Sequence, residues 1–304
     1  MSNLLKNISL MARKAARAAK QSGAKPEQYH DSFFIQKVLS VDSKPETTRV
    51  GTEYLHVSSL IGMCLRRHLI AYSTKVERSK SVNSAMRVVW ALGRAAESHI
   101  RNQFIEAMDY RDILGVWKCK CGHLKVSGLY DDTLKCPKCE KKASSYSEYS
   151  LFDHENRIVG SPDMVYIRPD NRKAMVVECK SINKNDFLKL SNPIWDHVHQ
   201  AVSYNELLKI NGVEVDDSVT IVYVCKDYNF GGPYKEFRVK RDDQLNSDVA
   251  FMWGQAKEYA RQLDIIKAGK KPSYPNRLST CTTQEDSIPK SCDCCGMCFA
   301  LPNG

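Results

Sequence analysis

Two short apolar runs, each carrying acid, constrain this chain more than any other feature. Residues 158–167 and 174–180 are rich in Ile, Val and Met and are separated by Arg168-Pro169-Asp170-Asn171. Proline and asparagine punctuate a chain there, so the runs read as two strands joined by a turn. The first contains Ser161-Pro162-Asp163-Met164-Val165; fifteen positions after Asp163, the second contains Val177-Glu178-Cys179-Lys180. Side chains alternate along a strand, so Glu178 and Lys180 project together while Val177 and Cys179 face the other way. Asp163 on the adjoining strand supplies a second carboxylate, and two acids and a lysine then converge on one point. Paired carboxylates suit magnesium or manganese. A cation there would polarise a phosphoryl oxygen and lower the pKa of a coordinated water. Lys180 would orient or activate that water, or neutralise developing charge. This is the chemistry of phosphodiester hydrolysis. Acid-x-lysine alone is also a common exposed-strand pattern, and its surroundings have to decide.

Those surroundings are α/β. Residues 57–72, with Cys64 inside, read as a serine-capped helix, and a second helix over 84–110 carries Gly93 and Glu97. Residues 198–210 and 245–268 read as helices and 219–226 as a further strand, without internal repeats. Residues 1–25 hold no acid, and their leucines and isoleucines interleave with Lys and Arg as in a basic amphipathic helix. That helix would be a surface element, a DNA-contacting arm or a transit peptide. A connector follows, so 1–53 stands apart from a main domain over 54–304. The net charge of +10 favours a polyanion such as nucleic acid. No apolar run approaches a membrane span, and the first twenty residues lack an apolar secretory core. The expectation is a cytoplasmic protein, without membrane contact, bacterial or, if phage-encoded, of the host cell.

Twelve cysteines, mostly in tight local groups, are distributed like metal ligands rather than disulfides. Cys119-x-Cys121 and Cys136-x-x-Cys139, in a lysine-rich stretch over 117–149, read as an inserted zinc ribbon, with His123 able to replace one cysteine. Four protein ligands leave no open position for water, so the role is structural. Lys118, Lys120, Lys125 and Lys135 could press on DNA. Cys281, Cys292, Cys294, Cys295 and Cys298 crowd the last twenty-four residues, and Cys64 stands far upstream. Cys179 and Cys225 read as packed small hydrophobes.

The order of PD and ECK resembles the PD-(D/E)XK nuclease superfamily, and neighbouring motifs resemble its RecB-like exonuclease branch. Gly93-Arg94-Ala95-Ala96-Glu97 is similar to the first motif of that branch. The resemblance implies that Glu97, with His99 as the alternative, joins Asp163 and Glu178 as a metal ligand. Gln200 and Tyr204 match the branch's QxxxY helix, which implies substrate positioning; i and i+4 share a helix face. The other reading of Tyr204 is a half-buried core aromatic. The similarity spans residues 54–299. Within the branch, the CRISPR-associated exonucleases and the AddB helicase-nucleases bind a [4Fe-4S] cluster through one upstream and three C-terminal cysteines. That resemblance implies Cys64, Cys281, Cys292 and Cys298 here, with Cys295 in place of Cys281 as the alternative, in a cluster-binding segment over 281–298. The usual CxxCxxxxxC is not kept, because Pro289 stands where a cysteine would. Zinc at the same thiolates competes.

The implied fold is a restriction-endonuclease-like core, a central mixed sheet flanked by helices, with an inserted ribbon and a cluster-bound helical cap. The implied activity is Mg2+- or Mn2+-dependent DNA exonucleolysis on single-stranded ends in recombination, replication or repair, with proteins of those pathways as candidate partners. The alternatives are a structure-specific endonuclease and a DNA-binding protein whose site has lapsed.

Overall fold

Residues 51–74, 84–227, 232–288 and 292–303 are described by the computed structural model. The basic helix and nearly all of the connector expected over 1–53 lie outside them. In chain order the elements are β1 (Leu55–His56), α1 (Val57–Leu60), α2 (Leu65–Thr74), α3 (Ser84–Ala107), a 3-10 turn (Tyr110–Asp112), β2 (Ile113–Lys118), β3 (Lys125–Leu129) and β4 (Ser145–Ser147). They continue as β5 (Leu151–Asp153), β6 (Ile158–Gly160), β7 (Met164–Ile167), β8 (Ala174–Ile182), α4 (Lys184–Lys189), α5 (Trp195–Ile210), β9 (Ser218–Cys225), β10 (Tyr234–Lys240), α6 (Asp243–Lys267) and α7 (Cys295–Ala300).

The main sheet runs β10-β9-β8-β7-β2-β3, with β4 also on β2. Only β8 and β9 pair in parallel within it, so the sheet is mixed. A parallel pair needs a crossover connection, and α5 lies in it. Every residue of β9 is buried, as an unbroken apolar strand covered on both faces requires. On one face Ala174 and Val176 of β8 pack with Val198, Val202 and Leu207 of α5 and with residues of α6. On the other, Val177 and Cys179 pack with Ile100 and Ile105 of α3. A small second sheet, β1-β6-β5, flanks this body. No helix among the described residues is long and apolar enough to cross a membrane.

Three expected elements are divided differently. The helix over 57–72 breaks after Leu60, because Gly62 takes a left-handed φ of +63°. Cys64 therefore lies outside a helix, just ahead of α2, its carbonyl accepting the His68 N–H at 3.2 Å. The strand over 158–167 splits at Ser161-Pro162-Asp163, with β6 in the small sheet and β7 in the main one; Pro162 has no N–H to continue a ladder. The stretch over 117–149 is rooted in the main sheet: β2 pairs with β3, β4 and β7, and Trp117 belongs to the core.

Candidate active site and cysteine centres

The end of β8 gathers the acids. Glu178, 2 % exposed, accepts a hydrogen bond from Lys180 Nζ at 2.5 Å through Oε1, while its buried Oε2 has no partner. Asp163 Oδ2 accepts the Cys179 backbone N–H at 2.8 Å, which ties the turn before β7 to β8. A Cβ on Gly93 would stand 3.0 Å from Ser181 Oγ, so the glycine lets α3 lie close on β8. One turn later, Glu97 Oε1 accepts the Ser181 N–H at 3.3 Å and its hydroxyl at 3.1 Å. His99 is exposed on α3.

Three side chains not singled out in the sequence complete the setting. Arg101 donates to Glu148 at 2.5 Å and stands 3.8 Å from Asp163 Oδ1. The Tyr146 hydroxyl donates to the Asp163 carbonyl at 3.2 Å. Arg101 lies four residues after Glu97, a helical spacing that marks it as a neighbour. Glu148 and Tyr146 carry no comparable signal. On the α5 side, Gln200 Nε2 donates to the Tyr204 hydroxyl at 3.1 Å, and the ring passes over Gly160, where a Cβ would come within 2.7 Å of it. Tyr204 is 6 % exposed and belongs to the core as well as to the edge of the site.

Burial governs the electrostatics. It pushes the Glu178 carboxyl up to about 8, reinforced by the Asp163 charge and opposed by Lys180. Asp163 is raised by burial against the pull of Lys180. Glu97 and Glu148 are raised by burial and then by Asp163. For Lys180 burial opposes the charge, but the Glu178, Asp163 and Glu97 carboxylates outweigh it and raise its pKa, so it stays a cation. His197 falls to about 4 through burial and the Lys180 charge; its Nδ1 lies 2.8 Å from the Tyr223 hydroxyl. Glu97, Asp163 and Glu178 thus share one electrostatic neighbourhood. They do not share one coordination sphere: among the described residues only the cysteine quartet brings three or more His, Cys, Asp or Glu ligand atoms within 4.8 Å of one another. Each carboxylate has taken a different donor.

That quartet is Cys119, Cys121, Cys136 and Cys139. Sulfurs of Cys119 and Cys121 are 3.3 Å apart, those of Cys121 and Cys136 are 3.6 Å apart, and the Leu124 N–H donates to Cys119 Sγ at 3.2 Å. Zn–S bonds of about 2.3 Å place tetrahedral sulfurs about 3.8 Å apart, so the set fits one zinc ion. His123 is outside it.

Cys64, Cys281, Cys292, Cys295 and Cys298 line one cavity of about 380 Å3. Burial raises the Cys64 thiol, and Cys292, Cys298 and Cys281 add to the effect through their charge. Cys294 lines the same cavity but is buried in a small core with Ile70 and Ala71, against which Cys292 and Cys298 also pack, and its thiol donates to the Arg67 carbonyl at 3.6 Å. Arg66, 1 % exposed, holds the C-terminal segment. It donates to Cys298 Sγ at 3.2 Å and to the carbonyls of Pro275, Cys298, Leu301 and Pro302 at 2.7, 3.0, 2.9 and 2.9 Å.

No family model and no curated protein matches the chain. Among solved structures it is similar to an alkaline exonuclease from Laribacter hongkongensis, at 14% identity over 77% of this chain and 98% of that one, with a TM-score of 0.38. The same exonuclease in complex with dAMP matches at 14% identity over 72% and 94%, with a TM-score of 0.41. A phage-related exonuclease from Haemophilus somnus 129PT matches at 12% identity over 39% and 60%, with a TM-score of 0.25.

Proposed function

We propose that the chain is a Mg2+- or Mn2+-dependent deoxyribonuclease with a PD-(D/E)XK-type site, acting on single-stranded DNA ends as an exonuclease of the RecB-like branch. The observation that carries this reading is Glu178: a fully buried carboxylate with one oxygen unpartnered, beside the half-buried Asp163 carboxylate and a lysine held as a cation. Burying two acids together is costly unless something positive is shared between them.

Asp163 and Glu178 would hold the cation, and Glu97 would join them on exchanging its Ser181 hydrogen bonds for the ion; hard oxygen donors and the orphaned Glu178 Oε2 fit a divalent ion. When bound, the ion supplies Lewis-acid polarisation of the phosphoryl oxygen and a more acidic water. Lys180, kept protonated by Glu178, acts as a fixed positive charge for the phosphorane-like transition state and as a donor that orients the attacking water, not as a base. Arg101 neutralises Glu148 and faces Asp163, which limits repulsion among the acids. Gln200 and Tyr204 border the site on the α5 side and would position the strand.

The 119–139 cysteines would hold structural zinc. Cys64, Cys292 and Cys298, with Cys281 or Cys295 as the fourth, would hold a [4Fe-4S] cluster; all five residues line one cavity, and four thiolates are the ligand set such a cluster takes. Residues 54–304 would form the nuclease domain, in a cytoplasmic recombination, replication or repair setting.

The test is degradation of end-labelled single-stranded DNA with Mg2+ or Mn2+ by wild type, Glu178→Ala and Lys180→Ala. Loss in both variants supports the assignment; unchanged degradation in both refutes it. Equal digestion of circular and linear strands would replace exonuclease by endonuclease.

A further inference from the structure

A cavity of about 660 Å3 opens between α3 and the strands at the root of the cysteine-bearing stretch. Four aromatic rings line it. Trp117 sits 4.9 Å from Tyr130, 5.4 Å from Tyr146 and 6.2 Å from Tyr110 between ring centroids, and Tyr110 lies 5.8 Å from Tyr130. Tyr110 is 42 % exposed although it belongs to this cluster. Trp117 is 3 % exposed, and its buried Nε1–H has no acceptor.

The cavity touches the candidate active site through two shared side chains. Tyr146 lines it and reaches the Asp163 carbonyl with its hydroxyl; Arg101 lines it and faces the Asp163 carboxylate. Gly115 allows this: a Cβ there would stand 2.2 Å from the Tyr146 ring, so only glycine lets the ring lie flat on β2. Asn102 and Ser145 add amide and hydroxyl groups to the wall.

We propose that this cavity is a nucleobase subsite, taking one unpaired base of the DNA strand whose phosphate lies at Asp163 and Glu178. The inference rests on the nuclease reading and extends it to how the strand is gripped. Aromatic faces stack any base whose own faces are free, which selects single-stranded over paired DNA without selecting sequence. The Asn102 amide provides a donor and an acceptor for base edges, and the Ser145 hydroxyl, which donates to the Lys118 carbonyl at 3.3 Å, a further acceptor. A base held here keeps its own backbone within a short reach of Asp163, because Tyr146 and Arg101 span both places.

The test measures binding apart from cleavage. Full-length wild type, Tyr110→Ala and Tyr110→Phe are titrated, at one salt concentration and without added divalent cation, against fluorescein-labelled single strands of about 12 nucleotides. A parallel set of strands carries an abasic residue stepped along from the end. Tyr110→Ala is expected to weaken binding roughly 5- to 150-fold, the equivalent of ~1–3 kcal/mol at 1.36 kcal/mol per tenfold, and Tyr110→Phe to restore it. One abasic position should weaken wild type by a comparable factor and leave Tyr110→Ala unaffected. Equal affinities of wild type and Tyr110→Ala, or abasic effects identical in both, overturn the subsite. Should Tyr110→Ala lose its zinc or its cooperative melting, Asn102→Ala, exposed on α3, enters the same cycle with an expected loss of about fivefold. The two readings fail separately. DNA cleavage with a flat binding cycle sinks the subsite alone, and a coupled abasic position without Mg2+- or Mn2+-dependent cleavage sinks the nuclease alone.

Discussion

Replacing Glu178 by glutamine is expected to stabilise the protein in the absence of divalent cation, by an amount that grows with pH. Glutamine copies the protonated acid in size and removes the charge. The Glu178 pKa rises from the usual 4.5 to about 8, through burial and the Asp163 charge against the pull of Lys180. A carboxyl whose pKa is higher in the folded state favours folding while it is protonated in both states. That contribution is fully present below about 4.5 and is lost as pH rises through about 8. At about 1.4 kcal/mol per pH unit the interval amounts to about 5 kcal/mol. Asp163 can hold a proton in place of Glu178 and absorbs part of it, which leaves an expected gain of ~2–4 kcal/mol near pH 8.5 and almost none near pH 4.5. For a chain of 304 residues that is a rise in Tm of roughly 3–6 °C. Thermal melts of wild type and Glu178→Gln at both pH values, without Mg2+ or Mn2+, read it directly. Adding Mg2+ should then stabilise wild type and narrow the gap, since a ligand bound to the folded state adds RT ln(1 + [L]/Kd). A difference that is absent at high pH, or equal at both pH values, would show that Glu178 is not a buried acid held against its charge.

Three further outcomes follow from the same geometry. Lys180→Ala should slow DNA degradation by about 10²–10³ and move the acid limb of the rate-versus-pH curve upward, because the Glu178 carboxyl loses the cation that favours its ionisation; a rate profile of unchanged shape would refute the pairing. In wild type the apparent Mg2+ affinity should fall about tenfold per pH unit below about 8, where the ion must displace the Glu178 proton, as read by cation titration of activity or Tm. Arg66→Leu leaves five acceptors between Pro275 and Pro302 without the guanidinium that contacts them and should cost ~3–5 kcal/mol, with early proteolysis of the C-terminal segment; unchanged melting and cleavage patterns would show that the segment is held by its cysteines alone.

How much of this was legible depended on whether the deciding contact is local. The alternation in Val177-Glu178-Cys179-Lys180 separates two faces by backbone geometry alone, and the structure keeps Val177 and Cys179 against α3 while Glu178 and Lys180 pair with each other. Gln200 and Tyr204, four apart, hydrogen-bond as helical spacing requires. The breaks were harder. Residues 57–60 and 65–74 share one apolar period, and the left-handed φ at Gly62 divides them and moves Cys64 to the head of α2. Residues 158–160 and 164–167 likewise share one β-type pattern, yet each half pairs with a different sheet, and a strand's partner is never written in the strand itself. Glu148 is the extreme case. It lies in a short polar stretch with no period, and its meaning comes wholly from Arg101, 47 residues earlier, and from Asp163, which raises its pKa across the site. Glu97 is the converse: its motif spacing is local and readable, and its carboxylate accepts the Ser181 N–H and hydroxyl. Spacing can say which face a ligand occupies; which donor claims it is decided by the competition among all charges at the site, and a cation would enter that competition as one more charge.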